Sequence, residues 1–292
     1  MKHTFVDLHI HSTASDGTCT PSQIIRLARR ERVEVCALTD HDTLDGLAEA
    51  EAEALSQGVV FIRGCEISTK CSYGNVHILG LWLPADKQKI APLEQALKEE
   101  REKREQRNLL MTEKLRELGI DIKYEEVTRI AGNAVVGRPH FAQLLKEKRV
   151  ISQEKEAFYR YIGKDCPAYV ERRQILPEQG VEILKKSGAV IAFAHPGQLK
   201  DCSPEEFEKL VARLKECGLD ALEVYHSSHT AANVRYLKET AKKYGLAVTG
   251  GSDFHGAHKP NIRLGHVLSG SIKENRIGYD IYARLNEYRL QR

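Results

Sequence analysis

Apolar runs that finish in histidine or carboxylate recur along this chain, and no other feature narrows its fold so far. The first is Phe5-Val6-Asp7-Leu8-His9-Ile10-His11-Ser12, whose apolar and polar residues alternate with the period of a half-buried β-strand. Alternate side chains of a strand share a face, so Asp7, His9 and His11 should point together. Later runs end at Thr39-Asp40-His41-Asp42, Gly64-Cys65-Glu66, Ala194-His195-Pro196, Tyr225-His226 and Gly251-Ser252-Asp253-Phe254-His255, and His77 stands near the start of one more strand. Helical patterns lie between them. One opens at Pro21, one should be capped by Asp45 and closed by Gly58, and one runs from Ser203 and Pro204 to Cys217. Strands alternating with helices in this way predict a parallel α/β architecture, with polar residues at the carboxyl ends of the strands.

The alternation stops between residues 90 and 170. A long charged helix is expected from Ile90 to Gly119, its mixed charges forming a solvated face, followed by helices near 124–131, 139–149 and 153–162. The spacing therefore predicts a barrel in two parts, 1–89 and 171–292, interrupted by an all-α insertion over 90–170. The length, 292 residues, is enough for that arrangement.

Composition excludes several classes. With 41% hydrophobic and 29% charged residues the chain is a folded globular protein rather than a disordered one. A net charge of +3 is too small to argue broad nucleic-acid binding. The seven cysteines are scattered without a Cys-x-x-Cys pair, against a disulfide framework or a zinc-thiolate site and in favour of the reduced cytoplasm. No run is long enough to span a bilayer, and Met-Lys-His-Thr leading into a strand is not read as a signal peptide.

A single histidine after an apolar strand is commonly structural. Its recurrence at successive strand ends is not explained that way, and imidazole with carboxylate suits a divalent metal. In chain order the motifs Asp7-x-His9-x-His11-Ser12, Thr39-Asp40-His41-Asp42, Gly64-x-Glu66, His77, Ala194-His195-Pro196 and Gly251-Ser252-Asp253-x-His255 resemble those of the PHP (polymerase and histidinol phosphatase) superfamily. The resemblance implies an α/β fold, a distorted (β/α)7 barrel of PHP type with an all-α inserted subdomain that caps the active site. It also implies three divalent ions at the carboxyl face. His9, His11, Glu66 and Asp253 would hold one ion, Glu66 would bridge to a second held by His77 and His195, and Asp16, His41 and His255 would hold the third. Donors of this kind fit Mn²⁺ first, with Fe²⁺ or Zn²⁺ as alternatives. Such a cluster would supply a hydroxide nucleophile and neutralise phosphoryl oxygens, so the reaction implied is phosphate ester hydrolysis, with Glu66 and Asp253 central to it. Asp7, Asp40 and Asp42 could orient the imidazoles or merely cap strand ends.

An anionic substrate calls for further contacts. Gly137-Arg138-Pro139-His140 places an arginine at a helix start, a good anion site. Lys164 and Tyr169 lie at the exit of the insertion, and Ser12 adjoins the first motif. His226 could touch phosphate, protonate the leaving oxygen, or cap its strand. His140 and His229 are weaker candidates, Arg172 and Arg173 read as solvated, and His3, His258 and His266 look incidental. The insertion and its Gly-Lys-x-x-Pro-Ala-Tyr-Val exit resemble one branch in particular, bacterial nucleoside 3′,5′-bisphosphate phosphatases whose relatives trim short RNA from the 5′ end. The expected partner is thus a small phosphorylated nucleotide, or short RNA, with no membrane and no obligate protein partner. Histidinol phosphate hydrolysis and a non-catalytic metal-binding module are the rival readings.

Overall fold

The computed structural model describes residues 5–132, 135–171, 174–199, 201–267 and 276–291. His3, Arg172 and Arg173 lie outside them. The chain divides into two compact units, one of Met1–Ala96 with Gln174–Arg292 and one of Leu97–Arg173.

In the first unit β1 (Phe5–Asp7), β2 (Val33–Leu38), β3 (Val60–Cys71), β4 (Gly74–Leu81), β5 (Val190–Ala194), β6 (Ala221–His226), β7 (Ala247–Gly251) and β8 (Ile277–Gly278) form one sheet. Its order is β7-β6-β5-β4-β3-β2-β1-β8. Past the end of β1 the backbone meets the end of β7. Leu8 N–H donates to Gly250 O at 3.2 Å, Asp253 N–H to His9 O at 2.9 Å and His11 N–H to Phe254 O at 3.0 Å. These bonds nearly close β1 to β7 into a barrel, while β8 lies antiparallel on β1. Glycine is required at 251, where a Cβ would collide with the backbone and Cβ of His9.

The helices are α1 (Pro21–Arg30), α2 (Leu47–Gln57), α3 (Lys87–Glu117), α4 (Tyr124–Ala131), α5 (Arg138–Glu147), α6 (Glu154–Arg160), α7 (Pro177–Lys186), α8 (Pro204–Cys217), α9 (Ala231–Lys243) and α10 (Tyr279–Leu290). Thr20 and Ser203 cap α1 and α8 by accepting from Gln23 N–H and Glu206 N–H. Asp45 does not cap α2. Gly46 takes that position with no side-chain bond, and Asp45 N–H instead donates to Thr43 Oγ1 at 3.2 Å. Ile281 and Leu285 of α10 join a core shared with Val6, Leu8, Leu79 and Ala192 of the sheet. Among the described residues no helix is long and apolar enough to cross a membrane, and all seven cysteines are free.

Two features depart from a uniformly parallel barrel. β4 runs antiparallel to both β3 and β5. Only Ser72 and Tyr73 separate β3 from β4, and so short a link cannot make the crossover that a parallel pair requires. As a result His77, near the start of β4, pairs with Ala194 at the end of β5, on the rim where parallel strands finish. The second departure is Glu66, which sits within the 12-residue β3 rather than at its end, because β3 continues beyond the rim into the hairpin.

The second unit is helical and has its own apolar core, built around Met111, Leu115, Val127, Phe141 and Leu145. Along α3 the residues Leu97, Asn108, Met111 and Leu115 are buried.

Candidate metal centre

Glu66 is the hub. It is fully buried in β3, and its two oxygens meet five imidazoles from four stretches of the chain. Oε1 lies 2.9 Å from His77 Nδ1 and 2.9 Å from His195 Nε2. Oε2 lies 3.0 Å from His9 Nε2, 3.0 Å from His11 Nε2 and 3.2 Å from His41 Nδ1. Asp253 approaches from the end of β7, with Oδ1 3.3 Å from His11 Nε2 and 3.4 Å from His255 Nδ1. Asp16, on the loop after the first motif, brings Oδ1 to 3.3 Å from His255 Nε2 and Oδ2 to 3.9 Å from His41 Nε2.

Several of these atoms do not satisfy one another as hydrogen-bond partners. His9 Nε2 and His11 Nε2 are 3.1 Å apart and converge on the same Glu66 oxygen. His11 Nδ1, His41 Nδ1 and His226 Nε2 are buried with no aligned partner. Buried polar atoms are ordinarily paired, so a convergent set of this kind fits lone pairs directed at cations. The residues fall into overlapping groups with ligand spacing: His11, Asp16, His41 and His255; His9, His11 and Asp253; His9, Glu66 and His195; His41, Glu66 and His77. His41 thus lies with the Glu66–His77 pair as well as with Asp16 and His255. The donor set of imidazole and carboxylate fits divalent ions.

The outer contacts orient the inner ones. His9 Nδ1–H donates to Glu223 Oε1 at 3.0 Å, leaving Nε2 to face the cluster. The other oxygen of Glu223 accepts from His195 N–H at 2.6 Å, so one buried carboxylate steadies two histidines. His255 Nδ1–H donates to the carbonyl of Asp253 at 2.8 Å, which turns Nε2 toward Asp16. His226 is arranged in the opposite sense. Its Nδ1 accepts from Ser228 N–H at 3.0 Å, so the ring proton sits on Nε2, 3.3 Å from Asp253 Oδ2. His195 (φ 29°) and Asp253 (φ 57°) hold left-handed backbones, each costing about 1–3 kcal/mol. His195 also precedes Pro196, which further disfavours such a backbone.

The electrostatics favour cations. Burial opposes ionisation of Glu66, yet the imidazoles packed around it, His41, His9, His77 and His11, hold it well below the usual carboxylate range. Asp253 is likewise held low, its burial outweighed by the imidazoles of His11, His226 and His9 beside it. Burial lowers His41 to about 3 and His195 to about 4, which keeps both neutral and able to donate lone pairs. Burial also disfavours charge on His11, but Asp253 and Glu66 together push it up to about 10. Carboxylates kept ionised in a water-poor rim are an attractive site for divalent ions.

The structure brings His9, His11, Asp16, His41, Glu66, His77, His195, Asp253 and His255 to one rim, with His226 beside them. Asp7 and Asp40 do not orient imidazoles. Asp7 accepts from Ser252 N–H and Oγ–H, Gly265 N–H and His9 N–H, and so pins the loop ends where the barrel closes. Asp40 accepts from Ser12 N–H, Ser12 Oγ–H and Ser15 Oγ–H, which fixes the loop carrying Asp16. Ser12, expected among the substrate contacts, is fully buried with its hydroxyl committed to Asp40 at 2.6 Å. Asp42 accepts from Ser68 N–H at 2.8 Å. His229 is structural, its Nδ1–H on Val224 O and its Nε2 accepting from Gly197 N–H. His258, expected to be incidental, donates to the carbonyl of Asp16 at 2.9 Å.

In the second unit Arg138 Cζ stands 5.9 Å from the ring centres of Phe158 and Tyr169, Lys164 is exposed, and His140 accepts from Gly137 N–H. Two residues were missed from the sequence. Glu223 carried a usable signal, being a carboxylate inside the apolar run Ala221-Leu222-Glu223-Val224. Lys259, whose Nζ lies 2.6 Å from Asp253 Oδ2, carried none.

The PHP domain family model matches residues 7–162. A 5′-3′ exoribonuclease of Haemophilus influenzae is 34% identical over 249 residues, covering 85% of this chain and 89% of that protein. A 3′,5′-nucleoside bisphosphate phosphatase of Chromobacterium violaceum is 32% identical over 263 residues, covering 90% of this chain and 91% of the relative. A solved structure from Chromobacterium violaceum, described as an amidohydrolase with bound sulfate and no metal, superposes with a TM-score of 0.78 at 30% identity, covering 98% and 97% of the two chains.

Proposed function

This chain belongs to the PHP domain family and is a hydrolase of phosphoric esters, and from that premise we propose that it removes the 3′-phosphate from nucleoside 3′,5′-bisphosphates. The observation that carries a metal-dependent reading is Glu66, one buried carboxylate shared by the imidazoles of His9, His11, His41, His77 and His195. The substrate reading is supported by the Chromobacterium violaceum relative, matched along nine-tenths of both chains. Three divalent ions, Mn²⁺ first, would be held by His9, His11, Glu66 and Asp253, by Glu66, His77 and His195, and by Asp16, His41 and His255. When bound, such ions supply charge neutralisation at the phosphoryl oxygens and activation of water.

The chain's own groups account for the remainder. Glu223 keeps His9 and His195 in their working orientation. His226 carries its proton on Nε2 and has no aligned acceptor for it, which suits it to donate to a phosphate or to the leaving oxygen. Arg138 and Lys164 are proposed as phosphate contacts on their chemistry as cations. Stepwise 5′-3′ cleavage of short RNA is the second reading, favoured by the Haemophilus influenzae relative.

Phosphate release by Mn²⁺-loaded protein separates them, with 3′,5′-bisphosphoadenosine, histidinol phosphate and a 5′-phosphorylated short RNA offered side by side. Fast release from the bisphosphate is expected. Mononucleotides appearing mainly from RNA would replace the first reading by the second, and silence on all three with metal bound would reject both.

A further inference from the structure

Beside the metal centre, and wholly within the first unit, a cleft of about 310 Å³ shares His77 and His195 with the cluster. One wall comes from the tip of the β3–β4 hairpin, with Tyr73 and Asn75, and the other from the loop after β5, with Gln198 and Leu199. We propose that this cleft seats the nucleoside part of the substrate, its base stacked on Tyr73 and its edge read by the side-chain amides of Asn75 and Gln198. The inference rests on the nucleotide reading above and adds to it the residues that would recognise the base.

The chemistry of the walls selects this occupant. An aromatic ring offers a face to any base, and each amide offers both a donor and an acceptor, as base edges require. Val76 and Phe193 add apolar floor. Asp201, also in the lining, would repel a phosphate but accept from base or ribose donors, so the phosphate stays with the cluster. Among the described residues neither the Tyr73 hydroxyl nor the Asn75 amide has a partner, which leaves both available. Gln198 Nε2 reaches Ser228 Oγ at 3.4 Å, and that hydroxyl lies 2.8 Å from His226 Nδ1. The same wall is thereby linked to His226 through the Ser228 hydroxyl. The volume is at the small end for a ligand site, suited to one nucleoside rather than a stack of several.

Calorimetric titration of the Mn²⁺-loaded protein with adenosine 5′-monophosphate and with ribose 5-phosphate tests this, since the second ligand has a hydroxyl at C1 in place of the base. One stacked base is worth a factor of about 5 to 150, so the nucleotide should bind at least about fivefold more tightly. Tyr73→Leu should bring the two affinities close together, and Tyr73→Phe should keep them apart. Gln198→Ala, on the opposite wall, should narrow the ratio too and serves if the hairpin variant does not fold. Equal affinities in the unaltered protein, or a ratio unmoved by Tyr73→Leu and Gln198→Ala, would overturn the assignment. Failure to release phosphate from the bisphosphate while the ratio stands would reject the proposed reaction and leave the cleft assigned. Release with no base preference in binding would reject the cleft alone.

Discussion

The interior of the barrel unit holds His9, His11, His195 and His255 among buried Glu66, Asp253 and Glu223, whereas the interior of the second unit is Met111, Leu115, Phe141, Leu145 and their apolar neighbours. Both are closely packed, but they solve different problems. Apolar burial stabilises at roughly 25 cal/mol per Å² without regard to direction. Burying imidazoles and carboxylates is costly unless each finds a partner, and in the barrel the available partners are few, shared and incompletely aligned. Left-handed backbones at His195 and Asp253 add to that cost. The barrel rim therefore gives up stability for chemistry, a trade the second unit's core does not make.

Substitutions in the two interiors should accordingly fail in different ways. Glu66→Ala removes the carboxylate common to five imidazoles and is expected to lower phosphate release about 10³-fold or more, with loss of bound metal measured by elemental analysis. Full metal occupancy with normal turnover would end the bridging assignment. Phe141→Ala in the second unit should cost about 3–5 kcal/mol in denaturant unfolding while metal content stays at its normal value. A parallel loss of metal would show that the two interiors are not independent.

Smaller effects refine the contrast. Glu223→Gln keeps the size but removes the carboxylate that His9 and His195 share, and should weaken metal binding about 10–100-fold by competition with a chelator. An unaltered affinity would mean that packing alone orients His9. Arg138→Ala should raise KM for bisphosphates about fivefold with metal content unchanged, because it takes away a cation rather than a ligand. Identical KM values would leave Arg138 with a structural role, through its contacts to Phe158, Tyr169 and the Ile162 carbonyl.

Much of this was legible in the residues. The opening of α1 at Pro21, the cap at Ser203, the left-handed Gly58 after α2, and the apolar runs ending in histidine all act over a few neighbouring positions, and local chemistry suffices to read them. The direction of β4 was not read, although the two-residue link from Cys71 to Gly74 carried the information. Asp45 misled because a good capping residue stands one position before the glycine that takes the role.

The sequence by itself determined which groups could meet: imidazoles and carboxylates at strand ends, no thiolate motif, and a helical segment breaking the alternation. Only the tertiary structure decided how they meet. Glu223 reaches His9 across 214 residues, and Ser252 and Gly265 reach Asp7 across 245 and 258, because barrel closure brings the two ends of the chain into contact. The hydrogen bond made at one ring nitrogen decides whether the other carries the proton, so the opposite tautomers of His9 and His226 depend on neighbours that only folding supplies.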